Sequence, residues 1–242
     1  MVAALTLSCL KGGQPHLAVP RLWDDVKQNG IRMHKLSFDV LAAASAEAGD
    51  GDTAREMLEV ALSSTLDFKL DVVNCTRLAQ AFRKADQPEY TPKILMLINK
   101  DDIPTDTQLY SVLLTSCADM ASGTKLREVH SHLNGNSKDL LNNFVVSALI
   151  HSYAKCGCLQ DSEKVFAGYL TRHSACKPPN DKDCAAAVDV WSAMIAAYGM
   201  HGRGKDALAV FNEMIKQGHK PDTIAFICVL SACSMQASLR ML

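Results

Sequence analysis

The sequence of 242 residues has no long apolar run and almost no excess of charge. No stretch reaches the roughly 18 apolar residues that a membrane-spanning helix needs, so we expect no membrane insertion. The formal net charge is −1, so the chain lacks the overall positive charge that is typical of nucleic-acid-binding proteins. The 13 Gly and 8 Pro are too few for a fibrous or linker-dominated chain. A hydrophobic fraction of 48% excludes wholesale disorder.

Motifs for catalysis and metal binding are also missing from the sequence. None of the 8 His is followed two residues later by Glu and no C-x-x-C occurs, so the zinc deaminase pattern is absent. Neither the phosphate-binding G-x-x-x-x-G-K-[ST] nor the G-x-S-x-G elbow occurs. The 9 Cys are scattered through apolar positions, and Cys156 and Cys158 form a lone C-x-C without a second pair. We therefore predict a non-enzyme with reduced thiols, no metal, no cofactor and no small-molecule substrate.

What the sequence does contain is a repeat of about 35 residues. The clearest copy, 188–222, has two stretches with helical spacing of apolar residues, a glycine-containing break at 199–204 and a Lys-Pro-Asp ending. The same frame recurs at 72–106. A pair of helices cannot bury its apolar face alone, and stacking onto the next pair supplies the missing surface. The period therefore predicts an all-α, right-handed solenoid of stacked helix–turn–helix repeats without a sheet.

The whole chain is predicted to be one array with a partial repeat at its end. The fifth repeat is longer than the others, and its excess, about 171–187, is polar and contains prolines, which predicts a protruding loop. The partial repeat lacks the polar cap that repeat arrays need, so either another protein covers it or the parent protein is longer. The predicted repeats are 1–34, 35–71, 72–106, 107–142, 143–187, 188–222 and the partial 223–242.

Motifs in 107–242 resemble those of pentatricopeptide repeat proteins. Residues 144–157, FVVSALIHSYAKCG, resemble the family's short repeat as it occurs in plants, and 191–222 closely resembles the same family. Residues 126–132, LREVHSH, resemble the signature of the long repeat, and 226–233, FICVLSAC, resemble the start of another. In residues 1–106 the resemblance rests on the spacing of apolar residues rather than on residue identity. Alternating long and short repeats suggest the organellar RNA-editing branch, here without a C-terminal deaminase domain.

The resemblance implies that each repeat reads one base of single-stranded RNA through its fifth and last residues. It assigns Thr76 with Asp106, and Ser192 with Asp222, as guanine-reading pairs. The chemistry is sensible because a carboxylate accepts hydrogen bonds from the N1–H and N2–H donors of guanine, while a hydroxyl bonds the same edge. For each residue the alternative is a helix cap or an ordinary polar surface residue.

The other repeats fit this pattern less well. By the same resemblance Ser111 with Asn142 would favour adenine, although long repeats follow the code poorly. Ser147 is a further candidate, but its repeat ends in alanine, which offers no side-chain hydrogen bond. Asp39 with Asp71 would place together two carboxylates that repel each other and RNA phosphate.

The second residue of each repeat is expected to contact the faces of bases. Val73, Phe144 and Ile224 are apolar and fit this role, whereas Asp189 does not.

Lysines near the end of the first helix are candidates for phosphate contacts. Lys84 and Lys155 fall at the same place in their repeats, and Lys11 falls within one residue of it. The alternative is a solvated helix end, where lysine favours the helix dipole.

Two functions remain open at this point. The first is a non-catalytic, sequence-selective adaptor for single-stranded RNA, placed by the resemblance in a mitochondrion or plastid and acting in RNA editing, processing or translation. The second is a structural, protein-binding subunit of a larger organellar assembly such as a ribosome. The matched pairs and lysines favour the first function, and the near-neutral charge, the broken pattern and the uncapped end favour the second.

Overall fold

A computed structural model describes residues 15–28, 33–63, 66–136, 138–173 and 181–239. These residues form twelve α-helices and two short 3₁₀ turns, at Pro88–Tyr90 and Lys138–Leu140, and they contain no strand. The all-α prediction is therefore confirmed. The helices are α1 Pro15–Gln28, α2 Lys35–Ala48, α3 Gly51–Leu62, α4 Val72–Lys84, α5 Thr91–Asp101, α6 Thr107–Asp119, α7 Gly123–Asn136, α8 Asn143–Lys155, α9 Leu159–His173, α10 Asp181–Met200, α11 Gly204–Lys216 and α12 Thr223–Leu239.

The chain divides into two units, Met1–Ser116 and Cys117–Leu242, and the division falls within α6. In the first unit α2 packs against α4, and α3 packs against α5. In the second unit α8 packs against α10, which packs against α12. Within each unit, the first helix of one helix pair therefore packs against the first helix of the next pair. This stacking of equivalent helices is typical of an α-solenoid.

A common register describes the first helices α2, α4, α6, α8, α10 and α12. Position 1 is the residue after the end of the preceding repeat, which places it at Lys35, Val72, Thr107, Asn143, Val188 and Thr223. The side chains at position 4 are almost completely buried in the first five of these helices: Phe38, Cys75, Tyr110, Val146 and Trp191. Those at position 8 are equally buried: Ala42, Ala79, Leu114, Ile150 and Ile195. These two positions build the core because they lie on one helix face.

The stretch predicted as a protruding loop, 171–187, is partly helical, and this corrects the prediction. Residues 171–173 complete α9, and α10 already begins at Asp181, so 181–187 extends the first helix of the next pair. The run 185–187 is three alanines, and alanine has the highest intrinsic helix propensity, which outweighs the polar composition that indicated a loop. Residues 174–180 lie outside the described part of the chain.

The cysteines differ widely in environment. Cys75 and Cys117 are buried, and burial raises the pKa of each thiol to about 12. Cys233, by contrast, is exposed, although the sequence pattern indicated an apolar helix face. The six described cysteines are free thiols, and the described residues contain no cluster of three or more His, Cys, Asp or Glu side chains suited to a metal ion. None of the described helices is both long and apolar enough to cross a membrane.

Gly49 ends α2 in a left-handed conformation next to the following first helix. Its φ is +69°, and a Cβ atom at this position would lie 3.1 Å from the Cβ of Lys84. We expect Gly49→Ala to lower the free energy of unfolding by about 1–2 kcal/mol, because an L side chain is strained there and has little room. Thermal unfolding followed by circular dichroism measures the change.

Gly168, inside α9, provides the matched control. A Cβ there would meet no atom within 4 Å, so Gly168→Ala is expected to stabilise the helix by roughly 0.5–1 kcal/mol. Equal effects of the two substitutions, in the same direction, would contradict the role assigned to the left-handed residue.

Candidate nucleic-acid interface

The last residues of the repeats cap the first helices that follow them. The backbone N–H of Leu109 donates to Asp106 Oδ1 at 2.7 Å, and the N–H of Ala225 donates to Asp222 Oδ1 at 2.7 Å. Asn142 accepts in the same way from the N–H of Val145 at 3.0 Å. Three residues assigned to base reading are therefore helix caps as well. Each cap uses Oδ1, while a carboxylate has a second oxygen that can also accept hydrogen bonds.

Two of the position-5 hydroxyls donate hydrogen bonds to the backbone of their own helix. Thr76 Oγ1 donates to the carbonyl of Val72, and Ser147 Oγ donates to the carbonyl of Asn143, both at 2.8 Å. These hydroxyls keep only their lone pairs for another partner, so they can accept but not donate.

The remaining position-5 serines differ from each other. Ser192 is only 6% exposed, as is Thr76, and its Oγ is buried without a hydrogen-bond partner in the described structure. Ser111, on α6, is half-buried. A buried hydroxyl without a hydrogen-bond partner costs free energy of folding.

At position 2 most of the first helices carry an exposed apolar side chain. Val73, Phe144 and Ile224, the predicted base contacts, are between 48% and 60% exposed. Leu36 has the same position in α2 and is 67% exposed, yet sequence reasoning missed it. Counting from the end of the preceding repeat at His34 would have found it, because position 2 lies in the first turn of every first helix except α10, which begins earlier, at Asp181. The series is interrupted at α6 and α10, where Gln108 and Asp189 are exposed and polar.

The two described lysines of the phosphate prediction tie neighbouring repeats together. Lys84 Nζ donates to the carbonyl of Glu47 at 3.3 Å, and Lys155 Nζ lies 2.6 Å from Asp119 Oδ1. Both lysines are at position 13, and both partners are at position 13 of the preceding first helix. The lysines are exposed, so each ammonium group can offer its other hydrogens to a phosphate. Lys11 lies outside the described residues.

Asp39 and Asp71, predicted to repel each other, each have a partner. Lys35 Nζ lies 2.9 Å from Asp71 Oδ2, and Asn74 Nδ2 donates to Asp39 Oδ1 at 2.9 Å. Although partial burial opposes it, the hydrogen bonds from Lys35 and from the backbone of Asn74 hold the pKa of Asp71 below its ordinary value. Both carboxylates therefore have roles within the fold.

Asp189 and Asp222 create a negative region at the last complete repeat. Partial burial, followed by the charge of Asp222, raises the pKa of Asp189 above its usual range. This region disfavours a phosphate but suits the hydrogen-bond donors of a base edge.

The cap formed by Asp106 can be tested separately from any ligand. Asp106→Ala is expected to lower the free energy of unfolding by about 1 kcal/mol, because the N–H of Leu109 loses its acceptor. Asp106→Asn should change the free energy of unfolding by no more than a few tenths of a kcal/mol, since asparagine is an equally good N-cap. Melting temperatures by circular dichroism distinguish the two, and equal losses in both variants would exclude the side-chain cap.

Comparison with protein-family models identifies repeats in the second unit. Residues 187–235 match a model described as PPR repeat family, and residues 144–168 match one described as PPR repeat.

Curated proteins from Arabidopsis thaliana align over most of the chain. It is 26% identical over 212 residues to pentatricopeptide repeat-containing protein At5g16860. This alignment covers 87% of this chain and 23% of that protein. It is 34% identical over 210 residues to pentatricopeptide repeat-containing protein At3g03580, covering 86% of this chain and 21% of that protein. It is 39% identical over 123 residues to pentatricopeptide repeat-containing protein At3g57430, chloroplastic. This alignment covers 50% of this chain and 12% of that protein. The chain thus spans about a quarter or less of the length of these relatives.

Among solved structures, the chain is similar to the pentatricopeptide repeat protein PPR10 in complex with an 18-nt psaJ RNA element. The TM-score is 0.67 with 18% identity, over 100% of this chain and 34% of that one. At this level of identity the likeness shows a common fold, that of a helical-repeat solenoid.

Proposed function

The chain belongs to the pentatricopeptide repeat family, and from this premise we propose that it is a non-catalytic adaptor that binds single-stranded RNA selectively. We place it in the long-and-short-repeat branch of the family, acting in organellar RNA editing, processing or translation. Two supports come from similar proteins: a relative named chloroplastic and a structural neighbour crystallised with RNA. The organelle is a plastid or a mitochondrion.

The observation that carries the proposal is the common register of polar and apolar side chains. Thr76 with Asp106 in the first unit, and Ser192 with Asp222 in the second, each combine a position-5 hydroxyl with a capping carboxylate. Because Thr76 already donates its proton to a backbone carbonyl, it presents only acceptor lone pairs. Two acceptors match the N1–H and N2–H donors of guanine and mismatch the acceptor N1 of adenine.

The exposed apolar side chains at position 2 support contact with base faces. Leu36, Val73, Phe144 and Ile224 each leave about half or more of their side chain in water. Exposed apolar side chains at one repeated position suit the flat apolar faces of bases, and stacking on an aromatic side chain is worth roughly 1–3 kcal/mol per base. Phe144 is the strongest candidate because it alone among these four side chains is aromatic.

The guanine assignments lead to a defined target. The two pairs belong to the third and sixth repeats, so one base per repeat predicts the spacing 5′-G-x-x-G-3′. Each pair is expected to discriminate by about 1–3 kcal/mol, and replacing either guanine should weaken binding accordingly. Asp222→Asn should move the preference from guanine toward adenine at one position only. Titration of labelled single-stranded RNAs, with each guanine replaced in turn, measures both effects.

Asp50→Asn is the matched control for this substitution. Asp50 caps α3 through the N–H of Thr53 at 3.1 Å, but α3 is a second helix and is outside the reading register. Both Asp→Asn changes remove one negative charge and keep a cap, so a change in base preference with Asp222→Asn alone identifies base reading. If affinity is indifferent to both guanines, or if no RNA binds at moderate salt, the adaptor proposal is wrong.

The lysines at position 13 should contribute equally to all sequences. Lys84→Gln or Lys155→Gln is expected to reduce the slope of log affinity against log salt by about one, without changing base preference. Lys216→Gln is the control, because Lys216 is an exposed lysine in the last turn of the second helix α11. An unchanged slope in the position-13 variants would show that these lysines do not contact phosphate. Their role would then be structural, through their contacts with Glu47 and Asp119.

A second candidate function, a structural subunit that binds protein, has one observation of its own. The last described helix, α12, exposes several large apolar side chains, which is typical of a surface that contacts protein. If the RNA titrations fail, this function takes the place of the adaptor.

A further inference from the structure

The second repeat carries two carboxylates at the places where the third repeat carries a hydroxyl and a carboxylate. Asp39 is at position 5 and Asp71 is the last residue. In the third repeat the same two places hold Thr76 and Asp106. Two carboxylates alone would repel each other and the phosphates of RNA. A third charged residue, Lys35 at position 1, changes this balance.

Lys35 interacts with both carboxylates. Its Nζ lies 2.9 Å from Asp71 Oδ2. Lys35 and Asp39 are four residues apart on α2, so their side chains are neighbours on one helix face. The hydrogen bond to Asp71 raises the pKa of Lys35, and the charges of Asp71 and then of Asp39 add to this effect. The ammonium group therefore offsets one of the two negative charges and leaves one uncompensated.

Asn74, on α4, orients one oxygen of each carboxylate. Its side chain is completely buried, and its Nδ2 donates to Asp39 Oδ1 at 2.9 Å. Its backbone N–H donates to Asp71 Oδ1 at 3.1 Å. Asp39 Oδ2 has no hydrogen-bond partner within the described residues, and it remains accessible to solvent. The second repeat thus presents a fixed carboxylate with an oxygen left for a ligand.

The charged groups are accessible and lie next to exposed apolar side chains. The side chains of Lys35 and Asp71 are 48% and 42% exposed. Leu36 follows Lys35 in sequence, and Val73 has the same position 2 in the next first helix. A base bound at this repeat can therefore contact apolar side chains with its faces and the charged groups with its edge.

The hydrogen-bonding groups match the Watson–Crick edge of guanine. That edge presents one acceptor, O6, followed by two donors, N1–H and N2–H. Lys35 supplies a donor, and Asp39 and Asp71 supply acceptors. Cytosine and adenine have an acceptor nitrogen at the centre of the edge, which a carboxylate repels. Uracil has one donor between two acceptors, so it satisfies only one of the carboxylates.

We propose that the second repeat reads guanine through Lys35, Asp39 and Asp71, with Lys35 as a specificity-determining residue outside the pattern of fifth and last residues. This inference rests on the proposed function, the binding of single-stranded RNA. The second repeat adjoins the third, so its guanine neighbours the one assigned to Thr76 and Asp106, on the side away from the guanine of the sixth repeat.

Titration of labelled single-stranded RNAs that keep the two guanines of the G-x-x-G element tests the inference. The base next to this element is varied among all four, on its 5′ side in one series and on its 3′ side in the other, so that both strand polarities are covered. In one series only, guanine at this place should bind at least about fivefold more tightly than any other base.

Two substitutions with matched controls test the residues. Lys35→Met should reduce the guanine preference at this place to less than about twofold, because O6 loses its donor. Lys27→Met is the control: Lys27 pairs with Glu56 and is about as exposed as Lys35, but it lies on α1, which packs against α2 and α3 as the second helix α3 packs against α4 and α5. Asp39→Asn should also lower the preference, whereas Asp50→Asn should not.

The outcomes separate this inference from the proposed function. Equal affinity for all four bases in both series, a preference for a base other than guanine, or a preference that Lys35→Met retains overturns the inference. If the guanines of the third and sixth repeats still discriminate, the RNA-binding proposal stands. A chain that binds no RNA contradicts both. Circular dichroism verifies that the variants are folded, and the cap of α4 by Asp71 Oδ1 does not depend on Lys35.

Discussion

The structure depends on one constraint: a single helix pair cannot bury both apolar sides of its first helix. Positions 4 and 8 are buried in five successive first helices because second helices and neighbouring first helices cover them together. Where this covering is missing, at Phe226 and Leu230 of α12, the same positions are exposed. Burial is thus a property of the stack rather than of any one repeat.

The residues between repeats combine folding with recognition. Asp106 and Asp222 supply the acceptor that starts the next first helix, and this fixes each carboxylate at the N-terminus of that helix. A group held by a backbone hydrogen bond loses little conformational entropy when it binds a ligand. Lys84 and Lys155 likewise combine two roles. Each joins position 13 of its own first helix to position 13 of the preceding first helix. A residue with two roles must be tested with substitutions that preserve one of them, as asparagine preserves the cap.

Much of the fold and part of the candidate site could be predicted from the sequence. The period, the helical spacing and the Lys-Pro-Asp ending are local signals, and they were sufficient for the all-α class and for the register that places Val73, Phe144 and Ile224 in the first turns. Local signals failed at 181–187, where composition indicated a loop and helix propensity prevailed. They also missed Leu36, because the preceding repeat ends in His34 rather than in an aspartate or asparagine and the register is harder to recognise there.

The sequence by itself determined the repeat, the helices and the identity of the polar side chains at each position. Only the tertiary structure decided how those side chains are used. Lys84 donates to the carbonyl of Glu47, Lys155 pairs with Asp119, and Ser192 keeps a buried hydroxyl without a partner. The physical reason is that helix formation depends on residues three or four apart, which are visible in the sequence. Hydrogen bonds, ion pairs and exposure depend on which atoms meet after residues about 35 apart have been stacked together.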